Sequence, residues 1–319
     1  MARLTVTLAT RDWDHLTPLL LGDVISDRLD LRITRLDSLL PAVRDPDPFD
    51  AVETSLSRYV ALRVAGEDRI IGIPHFIMRG FRHRCVLVAR NSPLTCLSQL
   101  KGARIGLTGW HDTGNIWTRA ALSDAGVGIE DARWFAGRLT ADHPITDRLR
   151  GYGRPGRIEP CPDEVPMLDL LASGALDAIC TPFMPAGSFG PDAALRPLLP
   201  DVVAAESAWF ARSGYIPGHH MISIRREVAQ REPWIAAEIS RLLDQSRAVW
   251  RAKRRKYAET SPWLLDELLR AARAIPDGTE ASGAAANQAM LAAFCDALAE
   301  QQILPARPDP ASLFDLHPQ

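Results

Sequence analysis

The chain has no cysteine framework. Its five cysteines, Cys85, Cys96, Cys161, Cys180 and Cys295, are odd in number, scattered and free of any C-x-x-C pair, which argues against structural disulfides and a thiolate zinc site. No apolar run approaches the length that spans a bilayer. The opening "MARLTVTLATRDWD" alternates like a strand and lacks the apolar core of a leader, so a cytoplasmic protein is expected. Neither sign of charge dominates: 37 Lys and Arg against 39 Asp and Glu leave a formal charge of −2, too little field to expect a nucleic-acid partner. The one basic run, "RAKRRKY" at 251–257, lies in a helical pattern and reads as a solvated face, with a phosphate-rich partner as the alternative. G-x-x-x-x-G-K-[ST], a strand-linked G-x-G-x-x-G, H-E-x-x-H and G-x-S-x-G are all missing, and "AGSFGP" (186–191) reads as a loop rather than a nucleophile elbow. No cofactor, no membrane and no metal centre are expected.

What is present is an ordinary apolar content of 46% over 319 residues, enough for one large or two medium cores. "RLTVTLA", "LDLRITRL", "FDAVETS", "RIIGIPHF" and "RCVLVAR" read as strands interleaved with helical stretches; "ARIGLTG", "DARWFAG" and "ALDAICTP" restart the pattern further on. This alternation predicts an α/β fold built on largely parallel sheets. The chain is expected to leave a first lobe near 89, build a second over 89–214, and return, so that 1–88 and 215–319 form lobe one with a helical extension. A ligand cleft between the lobes follows as an expectation. The Pro-rich end "PARPDPASLFDLHPQ" is expected to lie over the surface.

In open α/β sheets, ligands sit beyond the carboxyl ends of strands, where helix N-termini present free N–H groups. Two stretches have that form: "AVETSLS" with Glu53, Ser55 and Ser57, and "IGLTGWHDTGNIW" with Trp110, His111, Asp112, Thr113 and Asn115. Plain N-capping is the competing account of the hydroxyl and amide residues. "RGFRHRC" (79–85) adds Arg82 and His83 beside Arg79 and Arg84, and "YIPGHHM" adds His219 and His220. Neighbours in a strand point to opposite faces, so only one of the paired histidines can face a ligand. Guanidinium groups and imidazole together fit an organic carboxylate and a proton donor. A metal gathered by His75, His83, His219 and His220 with Glu53 is a weaker alternative, since their spacing matches no ligand pattern.

On "FDAVETSLSRYV", "FRHRCVLV", "IWTRAALSDAGV", "ARWFAG" and above all "LLPDVVAAESAWFARSGYIPGHHMISIRREV", the chain resembles the 4,5-dihydroxyphthalate decarboxylase family from about residue 3 to 250. The resemblance implies a type 2 periplasmic-binding-protein-like fold with two lobes. It matches the family's acid-x-Ser at Glu53 and Ser55, Phe-Arg-His at Phe81, Arg82 and His83, Trp-x-Arg at Trp117 and Arg119, and Pro-x-x-His at Pro217 and His220. It departs where the family has a P-E-Y-x-M-T-A-like turn and this chain has "TGWHDTGN", in "ICTPFMPAGSFG", and at position 219, apolar in the family and His here.

The expected activity is therefore cofactor-independent decarboxylation of a hydroxylated, phthalate-like aromatic acid. His220, His83 and Arg82 are the expected catalytic groups. Glu53, Ser55, Arg82, Trp110, His111, Thr113, Asn115, Arg119 and His219 are the expected substrate contacts. Arg79 and Arg84 read equally well as solvated. Another tailoring enzyme or lyase on a related acid, and a cytoplasmic binding protein for an organic acid, are the rival readings. The helical C-terminal third, with "AAANQAMLAAFCDALAEQQIL" apolar at helical spacing, is more than lobe one needs for its own core, and part of it is expected to form a homodimer contact.

Overall fold

The computed structural model describes residues 3–40, 48–182, 184, 185, 188, 190 and 192–314. Most of the "AGSFGP" loop thus lies outside the described residues. From the N-terminus, β1 (Leu4–Arg11), α1 (Thr17–Leu20), β2 (Leu29–Leu36), β3 (Ala51–Ser55), α2 (Leu56–Val64) and β4 (Ile70–Arg79) lead to β5 (Val86–Ala89). Next come β6 (Arg104–Leu107), α3 (Thr113–Asp124), β7 (Arg133–Ala136), β8 (Ile158–Pro160), α4 (Met167–Ala172), β9 (Ala178–Cys180), β10 (Leu195–Pro197) and α5 (Val202–Ser213). The chain closes with β11 (Gly218–Arg225), α6 (Arg226–Arg231), α7 (Ile235–Lys256), α8 (Leu264–Ala274) and α9 (Gln288–Glu300). No helix among the described residues is long and apolar enough to cross a membrane.

Two compact units divide the chain, one from residues 1–80, 210–292 and 308–319, the other from 81–209 and 293–307. The expected boundaries differ in three places: residues 81–88 and 293–307 fall in the second unit and 210–214 in the first. Pairing explains the first two. Residues 86–89 form β5, which pairs antiparallel with β9 and β10 and so goes with the second sheet. Residues 293–307 are strapped into the second unit: Arg119 donates to Gln301 Oε1 at 2.8 Å, Tyr152 to the Ile303 carbonyl at 3.0 Å, and Phe294 packs on Trp117.

The first unit carries a five-stranded sheet in the order β2-β1-β3-β11-β4. β1 runs parallel to β2 and β3, while β11 is antiparallel to β3 and β4. Alternation in "LTVTLATR" turns Val6 and Leu8 inward, where they pack with Ile71, Ile73, Ile222 and Ile224 under Ile235, Ile239, Leu242 and Leu243 of α7. Each such side chain contributes about 1.5–3 kcal/mol through burial. All five residues of β3 are buried, Glu53 among them. A carboxylate in a strand covered on both faces needs hydrogen-bond donors around it, which fixes where to look for chemistry.

The described part of the Pro-rich end lies over the surface as expected, with Pro305, Ala306, Arg307, Asp309, Ala311 and Ser312 exposed, but it is anchored at residues 313 and 314. Leu313 and Phe314 are buried, the Leu313 carbonyl accepts from the Tyr59 hydroxyl, and Phe314 stacks on Tyr59. Two apolar side chains in "ASLF" outweigh the prolines before them.

The second unit carries a six-stranded sheet in the order β10-β5-β9-β6-β7-β8, with β9, β6, β7 and β8 parallel. Leu87, Met167, Leu171, Leu176 and Ile179 fill the space between the sheet and α4. β6 ends at Leu107 and the turn after it leads into α3, which puts that helix start at the carboxyl end of a parallel strand.

Candidate functional site

In the first unit, register brings Glu53 and His220 together. His220 lies opposite Ser55 and Ile222 opposite Glu53 in the antiparallel β3–β11 ladder, so Glu53 and His220 are diagonal neighbours on one face. His220 Nδ1 and Glu53 Oε1 are 2.6 Å apart. The other carboxylate oxygen, Oε2, accepts from Thr10 Oγ1 at 2.6 Å, the Arg11 N–H at 2.8 Å and the Trp13 indole at 2.9 Å. Burial opposes ionisation of this carboxyl, but the hydrogen bond and charge of His220, with the Thr10 and Arg11 donors, outweigh it and hold Glu53 below its usual range. An ionised Glu53 accepts only, so Nδ1 of His220 carries the hydrogen and Nε2 is left as the working nitrogen. Nε2 makes no hydrogen bond to a described residue, and the ring is half-buried.

His219 points the other way. Its Nε2 bonds the Gly80 carbonyl at 2.8 Å and the side chain is buried. The ladder between β11 and β4 shifts register on both sides of His220, a bulge of the kind that re-aims a side chain. The expected substrate contact at His219 is thus replaced by a structural one. Glu53 also changes part, from substrate contact to the group that orients His220. Ser55 is the N-cap residue of α2, yet its side chain makes no capping bond and lies 3.1 Å from Ser57 Oγ.

Around the pair lie aromatic groups that sequence reasoning did not single out. Trp13 sits 6.4 Å from the His220 ring, tilted by 59°, and stacks on His15 at 6.3 Å and 17°. His15 meets Trp250 edge-on. Burial, reinforced by the charge of Arg247, pushes the His15 imidazole down to about 3, so it is neutral at physiological pH. The signal that could have found these residues is the polar-aromatic cluster "TRDWDH" directly after the first strand.

In the second unit, Arg82 is 3% exposed. Its Nε donates to Thr118 Oγ1 at 3.2 Å, while Nη2 is buried and has no hydrogen-bond partner. The guanidinium lies against the first turn of α3, where a Cβ on Gly114 would come within 3.0 Å of Nη2. Glycine at that position leaves the space. The α3 N-cap, Asp112, makes no side-chain capping bond. Neither Thr113 nor Asn115 is the cap residue: Asn115 Nδ2 instead clamps the preceding turn through the Gly109 carbonyl (2.8 Å) and Thr108 Oγ1 (3.1 Å), and Thr113 is buried in the first helical turn. A buried cation with an empty donor beside a helix N-terminus has the chemistry of an anion site.

The remaining expected contacts have other tasks. Trp110 is 1% exposed, edge-on to Trp134 and capped by the Arg119 guanidinium at 3.9 Å. Arg119 donates to Gln301 and to the Trp110 carbonyl, and burial lowers its pKa to about 9. Both are buried and engaged within the second unit, though Arg119 Nη1, like Arg82 Nη2, is buried without a hydrogen-bond partner. His111 is half-buried and stacks on Tyr152 at 6.4 Å. His83 is buried edge-on against Trp209 at 6.0 Å. Arg84 pairs with Glu206, and Arg79 bonds Asn287 Oδ1 at 2.6 Å over the Phe76 ring. His75 bonds the Ser282 hydroxyl at 2.8 Å. Among the described residues, no three His, Cys, Asp or Glu side chains gather to hold a metal. Burial raises the thiols of Cys85, Cys161 (about 11) and Cys180 (about 12), which keeps them protonated and poor nucleophiles.

With this geometry established, likeness to known proteins can be placed. No protein-family model matches the chain. The fold is periplasmic-binding-protein-like: the MOPS-bound alkanesulfonate-binding protein SsuA of Xanthomonas axonopodis pv. citri aligns with a TM-score of 0.56 at 15% identity, covering 98% of this chain and 99% of that one. In sequence, the chain is similar to a 4,5-dihydroxyphthalate decarboxylase of Comamonas testosteroni, 28% identical over all of this chain and 98% of that protein. A second protein of that name, from Pseudomonas putida, is 28% identical over 67% of this chain and 84% of its own length.

Proposed function

We propose that the chain is a cofactor-independent decarboxylase of a hydroxylated aromatic carboxylic acid, with His220 as the proton donor and Glu53 as the residue that positions it. The observation that carries this reading is the Glu53–His220 pair at 2.6 Å, with the second carboxylate oxygen held by three further donors. Similarity to two proteins named as 4,5-dihydroxyphthalate decarboxylases supports the reaction class.

The chemistry follows from these atoms. The ring carbon that bears the carboxylate takes a proton from His220 Nε2, forming the new C–H bond. The bond from that carbon to the carboxylate carbon then breaks, its electron pair restores the aromatic ring, and CO2 leaves as a neutral molecule. Glu53 keeps the Nδ1–H tautomer and balances the charge on the imidazolium that reloads from water. A ring hydroxyl on the substrate helps by feeding electron density to the carbon that is protonated. Trp13, 6.4 Å from the His220 ring, adds an aromatic surface beside the proposed proton donor.

In the second unit, Arg82 is proposed as a carboxylate contact: the buried guanidinium offers a donor that the protein leaves unused, and only a planar, paired acceptor fills it well. The two roles belong to different units and are tested separately.

The test is incubation with a panel of hydroxylated aromatic acids, 4,5-dihydroxyphthalate included, with detection of CO2 and analysis of the product formed in D2O. One deuterium at the carbon that lost its carboxylate is expected. Tight binding of an acid with no CO2 released would replace the enzyme with an organic-acid binding protein.

A further inference from the structure

Within the helical C-terminal third expected to carry a homodimer contact, the stretch that contains α9 is spent inside the chain: Met290, Leu291, Phe294, Cys295 and Leu298 are all buried. The uncovered amphipathic element is α8. None of its residues is buried. Leu264, Leu265, Leu268, Leu269, Ala271 and Ala272 fall on one arc at 100° per residue. Leu265 is 43% and Leu269 49% exposed, and at the helix start Trp263 is 82% exposed in a left-handed conformation with φ of 60°. A bulky residue held at positive φ with its indole in solvent marks a segment kept for contact rather than for its own unit's packing.

Charge selects the occupant. Asp266 and Glu267 lie in the first turn of α8, Arg270 and Arg273 towards its end, and none of the four forms an ion pair with a described residue. Asp266 and Arg273 are seven residues, two turns, apart and so lie almost in line along one flank of the apolar arc. A second α8 packed antiparallel about a two-fold axis sets each Asp266 across from Arg273 of the other copy, twice per interface, with the leucines between them. An anionic bilayer fits less well. Three of the five cations in the neighbouring basic run are paired, Lys253 with Asp23, Arg255 with Asp277 and Arg251 with Glu280, and two acids stand at the helix start.

We propose that the α8 face is a homodimer interface formed by antiparallel, isologous pairing of this helix with its copy. The full-length protein is to be followed by sedimentation equilibrium from about 5 to 200 µM, since dimer population depends on protomer concentration. The expected mass rises toward twice that of the chain. The double variant Leu265→Glu, Leu269→Glu is expected to weaken association at least tenfold, and Asp266→Arg alone several-fold. Asp266→Arg combined with Arg273→Asp is expected to restore it to within about threefold, because the charges exchange places. These side chains are not buried within the chain, so at a concentration low enough for the parent to be monomeric, melting temperatures should match the parent and serve as the folding control. A monomeric mass throughout, a dimer indifferent to the leucine variants, or a charge swap no better than the single reversal would each overturn the proposal. So would a monomeric protein that pellets with phosphatidylserine vesicles through Trp263 and Leu265.

Discussion

Glu53 and Arg82 are both buried charges, one per unit, and the protein treats them oppositely. Every oxygen of Glu53 is occupied, Oε1 by His220 and Oε2 by Thr10, Arg11 and Trp13. Arg82 has one hydrogen bond from Nε and a buried Nη2 with none. A satisfied buried network fixes geometry; an unfilled charged donor costs on the order of 1–3 kcal/mol or more until an acceptor arrives. In the proposed reading the contrast separates orientation from recognition: Glu53 sets the direction of an imidazole, and Arg82 keeps a donor for an acceptor outside the chain.

Breaking the satisfied side should have the larger effect. Glu53→Gln keeps the size and loses the acceptor that fixes the His220 tautomer, so kcat is expected to fall on the order of 10²–10⁴-fold with KM little changed. Equal loss in kcat and gain in KM would instead make Glu53 a substrate contact. On the unfilled side, Arg82→Lys keeps the charge but not the paired donors, and about 2–4 kcal/mol of transition-state binding should go, roughly 30- to 1,000-fold in kcat/KM. A lysine variant with normal kinetics and normal folding would remove Arg82 from the site.

Two smaller effects sharpen the same comparison. Between about 3 and 6.5, unfolded chains carry a proton on His15 that the folded protein excludes. Stability therefore rises with pH across that window, and going from pH 7 to pH 5 should cost about 2 kcal/mol. His15→Phe should remove that share of the slope in urea titrations at the two pH values. Gly114→Ala places a Cβ 3.0 Å from Arg82 Nη2 and shifts the guanidinium by a few tenths of an ångström. About threefold higher KM is expected with kcat unchanged and stability equal or slightly higher, since alanine favours the helix by up to about 1 kcal/mol.

The strands and the α/β pattern were legible because alternation and β-branched runs report burial directly. That only one of His219 and His220 could face a ligand was legible from the strand period; the period does not say which, and only the resemblance at Pro217 and His220 favoured His220, while the bulge against β4 that sets the two side chains apart has no local signal. The Glu53–His220 pair spans 167 residues of sequence and exists only through the β3–β11 register, which no local pattern carries. The burial of Trp110 and Arg119 was illegible for a different reason. A tryptophan in a polar turn reads as accessible, yet here the turn folds it under an arginine whose partner, Gln301, comes from the far end of the chain. Burial by a distant segment leaves no trace near the residue it covers.

The claim at the centre is that one imidazole, oriented by Glu53, delivers the proton. The paired histidines test it within a single strand. Steady-state decarboxylation by His220→Asn and His219→Asn, each with folding verified by its melting transition, should separate them: kcat lower by at least about 100-fold for His220, and by less than tenfold for His219, whose Nε2 is committed to the Gly80 carbonyl. Equal, small losses in both variants would contradict the account and leave no proton donor on β11.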